Sequence, residues 1–177
     1  MTLAMPAPPD HRQASTGRSP GASRAVAVEV LVCGSPDRGD DGAPIAAAAL
    51  LRDRLPIDVR LRIVGQLDVD DLLRVPTGAC VVIIDAAKGI RPGRIIELPL
   101  DGLLTRQDRL RARSSHALAI PEVIGVADLI RGHPLRGRIV VIGGAEFGLG
   151  APLSDHVAEA VPALAAAVLV AINRDWA

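Results

Sequence analysis

The sequence contains almost no aromatic side chains. Among 177 residues there is no Tyr, one Phe (Phe147) and one Trp (Trp176). This scarcity argues against a surface that binds nucleic acid by stacking bases on aromatic rings. An excess of charge is also missing, since 20 basic and 20 acidic residues give a net charge of zero. Because a broad basic surface is therefore not expected, we predict no nucleic-acid partner.

Long apolar runs are missing as well. The longest, Ala160–Ile172, is interrupted by Pro162 and is shorter than the roughly 20 residues that span a bilayer. The first 25 residues include Asp10, His11 and Arg12 and lack the apolar core of a signal peptide. We therefore expect a cytoplasmic protein that does not contact a membrane.

Cysteine is scarce, and neither of the two residues has a metal-binding spacing. Cys33 and Cys80 lie in or at the end of apolar segments typical of strands. Buried, reduced thiols are the expectation for such positions. No Cys/His cluster has the spacing of a structural zinc site.

Composition divides the chain into two parts. Residues 1–24 are rich in Pro, Ser, Gly and Ala without any period, which predicts a disordered N-terminal tail. Residues 25–177 are rich in aliphatic side chains and long enough to bury a sizeable core. We predict that this second part is a single α/β domain.

Strand-like and helix-like segments alternate along this domain. The predicted strands are Ala25–Cys33, Asp58–Val64, Ala79–Ile84, Arg94–Leu98 and Arg138–Ile142, and the predicted helices are Gly42–Arg54, Asp68–Arg74, Pro121–Arg131 and Leu153–Asn173. The alternation predicts a three-layer sandwich, a mostly parallel twisted sheet of about five strands with helices on both faces. Because functional sites of such sheets lie beyond the carboxyl ends of the strands, the candidates are the residues that follow strands one, three and five.

The turn after the first strand, Gly34–Gly42, carries two consecutive acids. Asp40 is expected to cap the following helix, and the positive helix N-terminus also favours Asp41. The glycine spacing differs from the G-x-G-x-x-G dinucleotide fingerprint, and acids here would repel a pyrophosphate. A serine-hydrolase turn is also disfavoured, because the G-x-S-x-G pattern around Ser35 would need glycine where Asp37 stands.

Two further polar side chains are predicted at the same sheet edge. Asp85 ends the apolar third strand, and His116 lies in a loop before a helix. Each has an ordinary structural explanation, the Asp as an anchor for the next loop and the His as a polar loop residue. Together with Asp41 they match the ligand count of a labile metal site with open positions.

Four segments, in this order, resemble the hydrogenase maturation proteases, the endopeptidases that trim the C-terminus of the nickel-hydrogenase large subunit. They are the turn G-S-x-x-x-x-D-D-G, the strand end I-I-D-A-A with P-G downstream, S-S-H-A-L, and I-G-G followed by L-S-D. The resemblance extends over about residues 26–169. It implies an α/β fold, removal of a short C-terminal peptide, and a hydrogenase large-subunit precursor as the partner.

The resemblance also implies roles for particular residues. Asp41, Asp85 and His116 would hold the metal, and Asp41 and Asp85 would be catalytic. The nickel would be supplied by the precursor. Gly34, Ser35 and Gly144 are expected to contact the precursor. We expect the protein to be a monomer.

Two questions stay open at the level of sequence. The ion could polarise the scissile carbonyl or activate a water, or it could serve only for recognition while the acids activate water. The alternative to an enzyme is a non-catalytic module of the same fold that binds the nickel-loaded precursor as a chaperone.

Overall fold

The computed structural model describes residues 26–101, 103 and 119–174. Within these ranges the strands are β1 (Val28–Cys33), β2 (Val59–Gly65), β3 (Cys80–Ala87), β4 (Ile95–Pro99) and β5 (Gly137–Gly143). The helices are α1 (Ala43–Leu51), α2 (Val69–Leu73), α3 (Ile120–Arg131) and α4 (Asp155–Arg174), and a 3₁₀ helix covers Gly39–Gly42. The predicted tail, residues 1–24, and the Arg-rich segment Leu104–Arg113 lie outside the described residues.

The five strands form one sheet in the order β2-β1-β3-β5-β4. The pairs β1–β2, β1–β3 and β3–β5 are parallel, and β4 runs antiparallel to β5. Val32 of β1 is aligned with Ile84 of β3, which in turn is aligned with Val140 of β5. The carboxyl ends of β1, β3 and β5 therefore lie side by side, as the sequence predicted.

Two apolar cores flank the sheet. On one face Val30, Val82 and Val140 pack with buried side chains of α1 and α4. On the other face Leu31 and Ile83 pack with buried side chains of α2 and α3. The central strands β1 and β3 are buried on both faces, which explains their nearly uninterrupted aliphatic sequence. The predicted three-layer α/β sandwich is confirmed.

Helix α4 is, by length and composition alone, apolar enough to cross a membrane. It packs against α1 and β5, and its buried residues, including Val161, Leu164 and Val168, belong to the core on that face. The same composition is typical of a core helix. Pro162 lies inside the helix on an exposed position of the first turns.

Two details differ from the predictions. Strand β3 continues to Ala87, so Asp85 lies within the strand instead of directly after it. The prediction that Asp40 caps the first helix is wrong, because α1 begins at Ala43 and has no side-chain cap. Asp40 lies instead in the preceding 3₁₀ helix and is fully buried. Cys33 and Cys80 are both buried, and neither forms a disulfide, as predicted.

Candidate active site

The turn after β1 is shaped by a glycine that no other residue could replace without a clash. Gly34 has φ of +109°, and a Cβ at this position would meet the carbonyl oxygen of Asp41. Its N–H donates to the carbonyl of Gly65 at the end of β2 (2.7 Å). The chain can therefore fold back on itself, which brings Asp41 next to the end of β1.

Asp41 is half-buried, and its carboxylate closes this turn. Its Oδ2 accepts a hydrogen bond from the backbone N–H of Ser35 (2.9 Å). Burial raises the pKa of Asp41 above its ordinary value, although the Ser35 N–H and the charge of Arg38 oppose the change. Ser35 contributes to this turn through its backbone N–H. The hydrogen bond to Asp41 therefore does not require the serine hydroxyl.

Asp85 lies at the carboxyl end of β3, in the layer between the sheet and α3. Burial raises its pKa to about 7, the N–H of Ala86 opposes this, and the negative charge of Asp41 raises it further. The two carboxylates are therefore close enough to repel each other. Strongly raised carboxyl pKa values in a strand-end position are typical of functional sites.

A small cavity of about 60 Å³ opens beside Asp85. Apart from the carboxylate its walls are apolar, and they come from β3, β5, the segment after β4 and the N-terminal turn of α3: Ala87, Leu103, Ala119, Ile120, Pro121, Ile139 and Val141. Because its walls keep water away from the Asp85 carboxylate, the cavity accounts for the desolvation that raises this pKa.

The third predicted ligand, His116, lies outside the described residues. The described residue nearest to it in the sequence is Ala119, which lines the cavity at Asp85. Within the described ranges, no group of three His, Cys, Asp or Glu side chains could hold a metal ion. Asp41 and Asp85, two of the three predicted ligands, lie close enough to interact electrostatically, and both the metal site and the place of His116 stay predictions.

Asp40 has a role that sequence reasoning missed. Its Oδ2 accepts hydrogen bonds from the N–H groups of Ala145 (2.7 Å) and Glu146 (2.9 Å) and from the hydroxyl of Ser154 (2.9 Å). Its Oδ1 accepts one from the Ser154 N–H (2.7 Å). Asp40 therefore fastens the β5–α4 connection to the turn that carries Asp41. Ser154, which lies directly before α4, donates its hydroxyl to Asp40.

Burial would by itself raise the pKa of Asp40. The N–H groups of Glu146, Ser154 and Ala145 and the Ser154 hydroxyl outweigh it, so the pKa lies below its ordinary value. The pKa values of the two consecutive acids are thus shifted in opposite directions. Asp40 is held ionised, and Asp41 is biased toward the neutral form. This contrast distinguishes a structural carboxylate from one available for binding or chemistry.

Gly144, predicted to contact substrate, is buried at the end of β5. A Cβ here would lie 2.5 Å from Cζ of Phe147 and 2.9 Å from Cβ of Asp40. The space that a side chain at Gly144 would need is therefore occupied by Phe147 and Asp40 of the same chain. Gly34 and Ser35 both lie at the candidate site, and contact of all three residues with a substrate stays a prediction.

Cys33, predicted from the sequence only as a buried thiol, lies near the acids. Burial, followed by the charges of Asp85, Asp71 and Asp41, raises the pKa of the Cys33 thiol well above its ordinary value. Because a neutral buried thiol is a poor nucleophile, Cys33 does not suit covalent catalysis. The ammonium of Lys88 lies 5.0 Å from the centroid of the Phe147 ring.

The chain resembles known proteins in structure and not in sequence. No protein-family model matches it, and no curated protein matches it in sequence. Solved structures do match. Hydrogenase maturating endopeptidase HybD from E. coli is 18% identical with a TM-score of 0.70, over 83% of this chain and 92% of that one.

Two further solved structures of this kind are similar over comparable shares of the chain. NiFe hydrogenase maturation protease HybD from Thermococcus kodakarensis is 22% identical with a TM-score of 0.64, over 81% of this chain and 98% of that one. Hydrogenase 2 maturation peptidase from Thaumarchaeota archaeon SCGC_AB-539-E09 is 26% identical with a TM-score of 0.55, over 82% and 97%. The chain therefore has the fold of the hydrogenase maturation proteases, and the resemblance drawn from the sequence motifs is confirmed at the level of the fold.

Proposed function

We propose that this protein is an endopeptidase that removes a short C-terminal peptide from a nickel-loaded hydrogenase large-subunit precursor. One observation carries the proposal. Asp41 and Asp85 lie together at adjacent strand ends, with raised pKa values, in the fold of the hydrogenase maturation proteases. The sequence motifs around both acids match that family in order and spacing.

The electrostatics of the two acids favour a cation. Burial and mutual repulsion both disfavour the ionised state of Asp85, and a divalent ion brought by the precursor would relieve both effects. Carboxylate oxygens with one imidazole nitrogen are a mixed ligand set that accepts such an ion. Under this proposal His116 supplies the imidazole, and the remaining ligands of the nickel belong to the precursor.

The chemistry follows from the same two carboxylates. The substrate's nickel would polarise the scissile carbonyl or activate a water. Alternatively the ion serves only for recognition, and the acids themselves activate the water. With no ion bound to it, Asp85 suits the second case, because a carboxyl group with a pKa of about 7 can give up and take back a proton near neutral pH.

The remaining assignments follow from this function. Gly34, Ser35 and Gly144 would contact the precursor tail along the turn that carries Asp41. We expect this protein to be soluble and monomeric and to bind the precursor in the cytoplasm. Neither a nucleic acid nor a membrane takes part.

The test is a processing assay on purified protein and purified nickel-loaded precursor. Mass spectrometry of the large subunit should show the loss of a short C-terminal peptide with the wild-type chain. The variants Asp41→Asn, Asp85→Asn and His116→Ala should fold and fail to shorten the precursor. Unchanged processing by all three variants would overturn the proposal.

The same assay separates the enzyme from the chaperone alternative. A chaperone would form a stable complex with the nickel-loaded precursor and leave its mass unchanged. Omitting nickel from the precursor tests the metal requirement, since cleavage of the nickel-free precursor at an undiminished rate would exclude a role for the metal.

A further inference from the structure

The connection between β5 and α4 presents one apolar side chain to solvent. Leu149 is 82% exposed, and its neighbours on both sides are Gly148 and Gly150. Gly150 has φ of +75°, a conformation that favours glycine. Because neither neighbour has a side chain, nothing adjacent in the sequence covers the leucine.

The backbone around Leu149 is bonded to the turn that carries Asp41. The N–H of Gly150 donates to the carbonyl of Asp37 (2.7 Å), and the N–H of Gly39 donates to the carbonyl of Ala151 (3.0 Å). These two hydrogen bonds, made by the two residues that follow Leu149, hold the backbone next to the leucine against the turn. Its position is therefore tied to the candidate active site.

Internal hydrogen bonds brace the same segment. Glu146 accepts a bond at Oε1 from the Gly148 N–H (2.6 Å), and the Ala151 N–H donates to the Gly148 carbonyl (3.2 Å). Asp40 holds the two ends of the segment through Ala145 and Ser154. Polar contacts thus order the backbone around a side chain that gains no burial from being there.

We propose that Leu149 is a docking contact for the extended C-terminal segment of the precursor, next to its cleavage point. This inference rests on the proposed function. A pre-ordered backbone lowers the entropy cost of binding, so burying the leucine against an apolar residue of the precursor tail would contribute to affinity. Because the backbone next to Leu149 is bonded to the turn of Asp41, a precursor tail that reaches Asp41 would pass close to the leucine.

A second copy of this chain is a poorer occupant of the same surface. Stable protein–protein interfaces bury about 800 Å² on each partner, whereas Leu149 is a single side chain set between glycines. An extended peptide fits such a contact better, because it can bind through one side chain at a time. Self-association through Leu149 would therefore contradict the proposal.

The test compares Leu149→Ser with Leu129→Ser. Leu129, on α3, is also 82% exposed, so the two changes remove equal apolar surface at the site and away from it. Steady-state cleavage of the nickel-loaded precursor should show KM raised at least about tenfold by Leu149→Ser, with kcat nearly unchanged. Leu129→Ser should leave both constants at the wild-type value.

Equal KM values for the wild type and Leu149→Ser would overturn the inference while leaving the proposed function intact. If the wild type does not cleave, the proposed function fails, and the inference is then judged by the Kd of the precursor for both proteins. An unchanged Kd, or no binding at all, overturns it. Sedimentation that shows a wild-type dimer dissociated by Leu149→Ser would also overturn it.

Discussion

Asp40 and Ser154 are joined by two hydrogen bonds, one from the backbone and one from the side chain. The Ser154 N–H donates to Oδ1 of Asp40 at 2.7 Å, and the Ser154 hydroxyl donates to Oδ2 at 2.9 Å. This pairing links the turn after β1 to the start of α4 across 114 residues of sequence. It makes the geometry around Asp41 depend on a segment that is distant in the chain.

Replacing Asp40 with Ala should destabilise the fold severely. The change leaves the N–H groups of Ala145, Glu146 and Ser154 without their acceptor, and hydrogen bonds to a buried charge are among the strongest in proteins. We expect the free energy of unfolding to fall by about 3 kcal/mol or more in urea denaturation. Ser154→Ala removes one bond and should cost about 1 kcal/mol; equal costs for the two variants would contradict this assignment.

The stability of the protein should also depend on pH through Asp40. Its folded-state pKa lies below the ordinary value, so the unfolded chain binds a proton at a higher pH than the folded protein does. The stabilisation is present above the unfolded pKa, about 4, and is lost as pH falls through the folded pKa. Denaturation curves from pH 6 to pH 2 should show a smaller loss of stability for Asp40→Asn, and parallel losses in both proteins would contradict the prediction.

Asp85→Asn should stabilise the folded protein while abolishing processing. The folded-state pKa of Asp85 is raised to about 7, so between about pH 4 and pH 7 the folded state binds more protons than the unfolded state. Stability therefore falls as pH rises through this window. At pH 8 the Asn variant, which keeps no buried charge, should be more stable by roughly 2 to 4 kcal/mol.

The control for this prediction is Asp101→Asn, an exposed acid near the end of β4. Because the Asp101 side chain is exposed, this variant should have nearly the wild-type free energy of unfolding at pH 8. If Asp85→Asn is less stable than the wild type at pH 8, the carboxylate has a stabilising partner and the argument from desolvation is wrong.

Gly34→Ala should disrupt the turn that carries Asp41. A Cβ would collide with the Asp41 carbonyl in a backbone conformation with φ of +109°, which already disfavours alanine. Gly89→Ala is the matched control, because Gly89 has φ of +85° and a Cβ added there would have no atom within 4 Å. We expect about 1 to 2 kcal/mol of destabilisation for the control and clearly more for Gly34→Ala, with loss of precursor cleavage, by thermal denaturation and the processing assay.

Local sequence patterns were sufficient for most of the architecture. The aliphatic segments of β1 and β3 predict strands buried on both faces, and alternation with helices predicts a parallel sheet. The carboxyl-edge rule then places Asp41 and Asp85 on the same side of the sheet. These inferences succeed because hydrophobic periodicity and chain connectivity are local properties.

The role of Asp40 could not be predicted in this way. Asp before a helix is typical of a cap, and nothing near it in the sequence shows that its partners are Ala145, Glu146 and Ser154. The antiparallel direction of β4 was equally hidden, because it follows from pairing with β5. Both depend on contacts between residues far apart in the chain.

By itself, the sequence determined the fold class, the strand ends where the candidate acids lie, and the neutral, aromatic-poor composition that argues against a nucleic-acid surface. Only the tertiary structure decided that Asp40 is a buried anchor while Asp85 is a carboxyl group with a pKa of about 7. The physical reason is that a side chain's ionisation depends on the burial and the hydrogen-bond donors around it. Residues from β3, β5, α3 and the β5–α4 connection supply that environment only once the chain has folded.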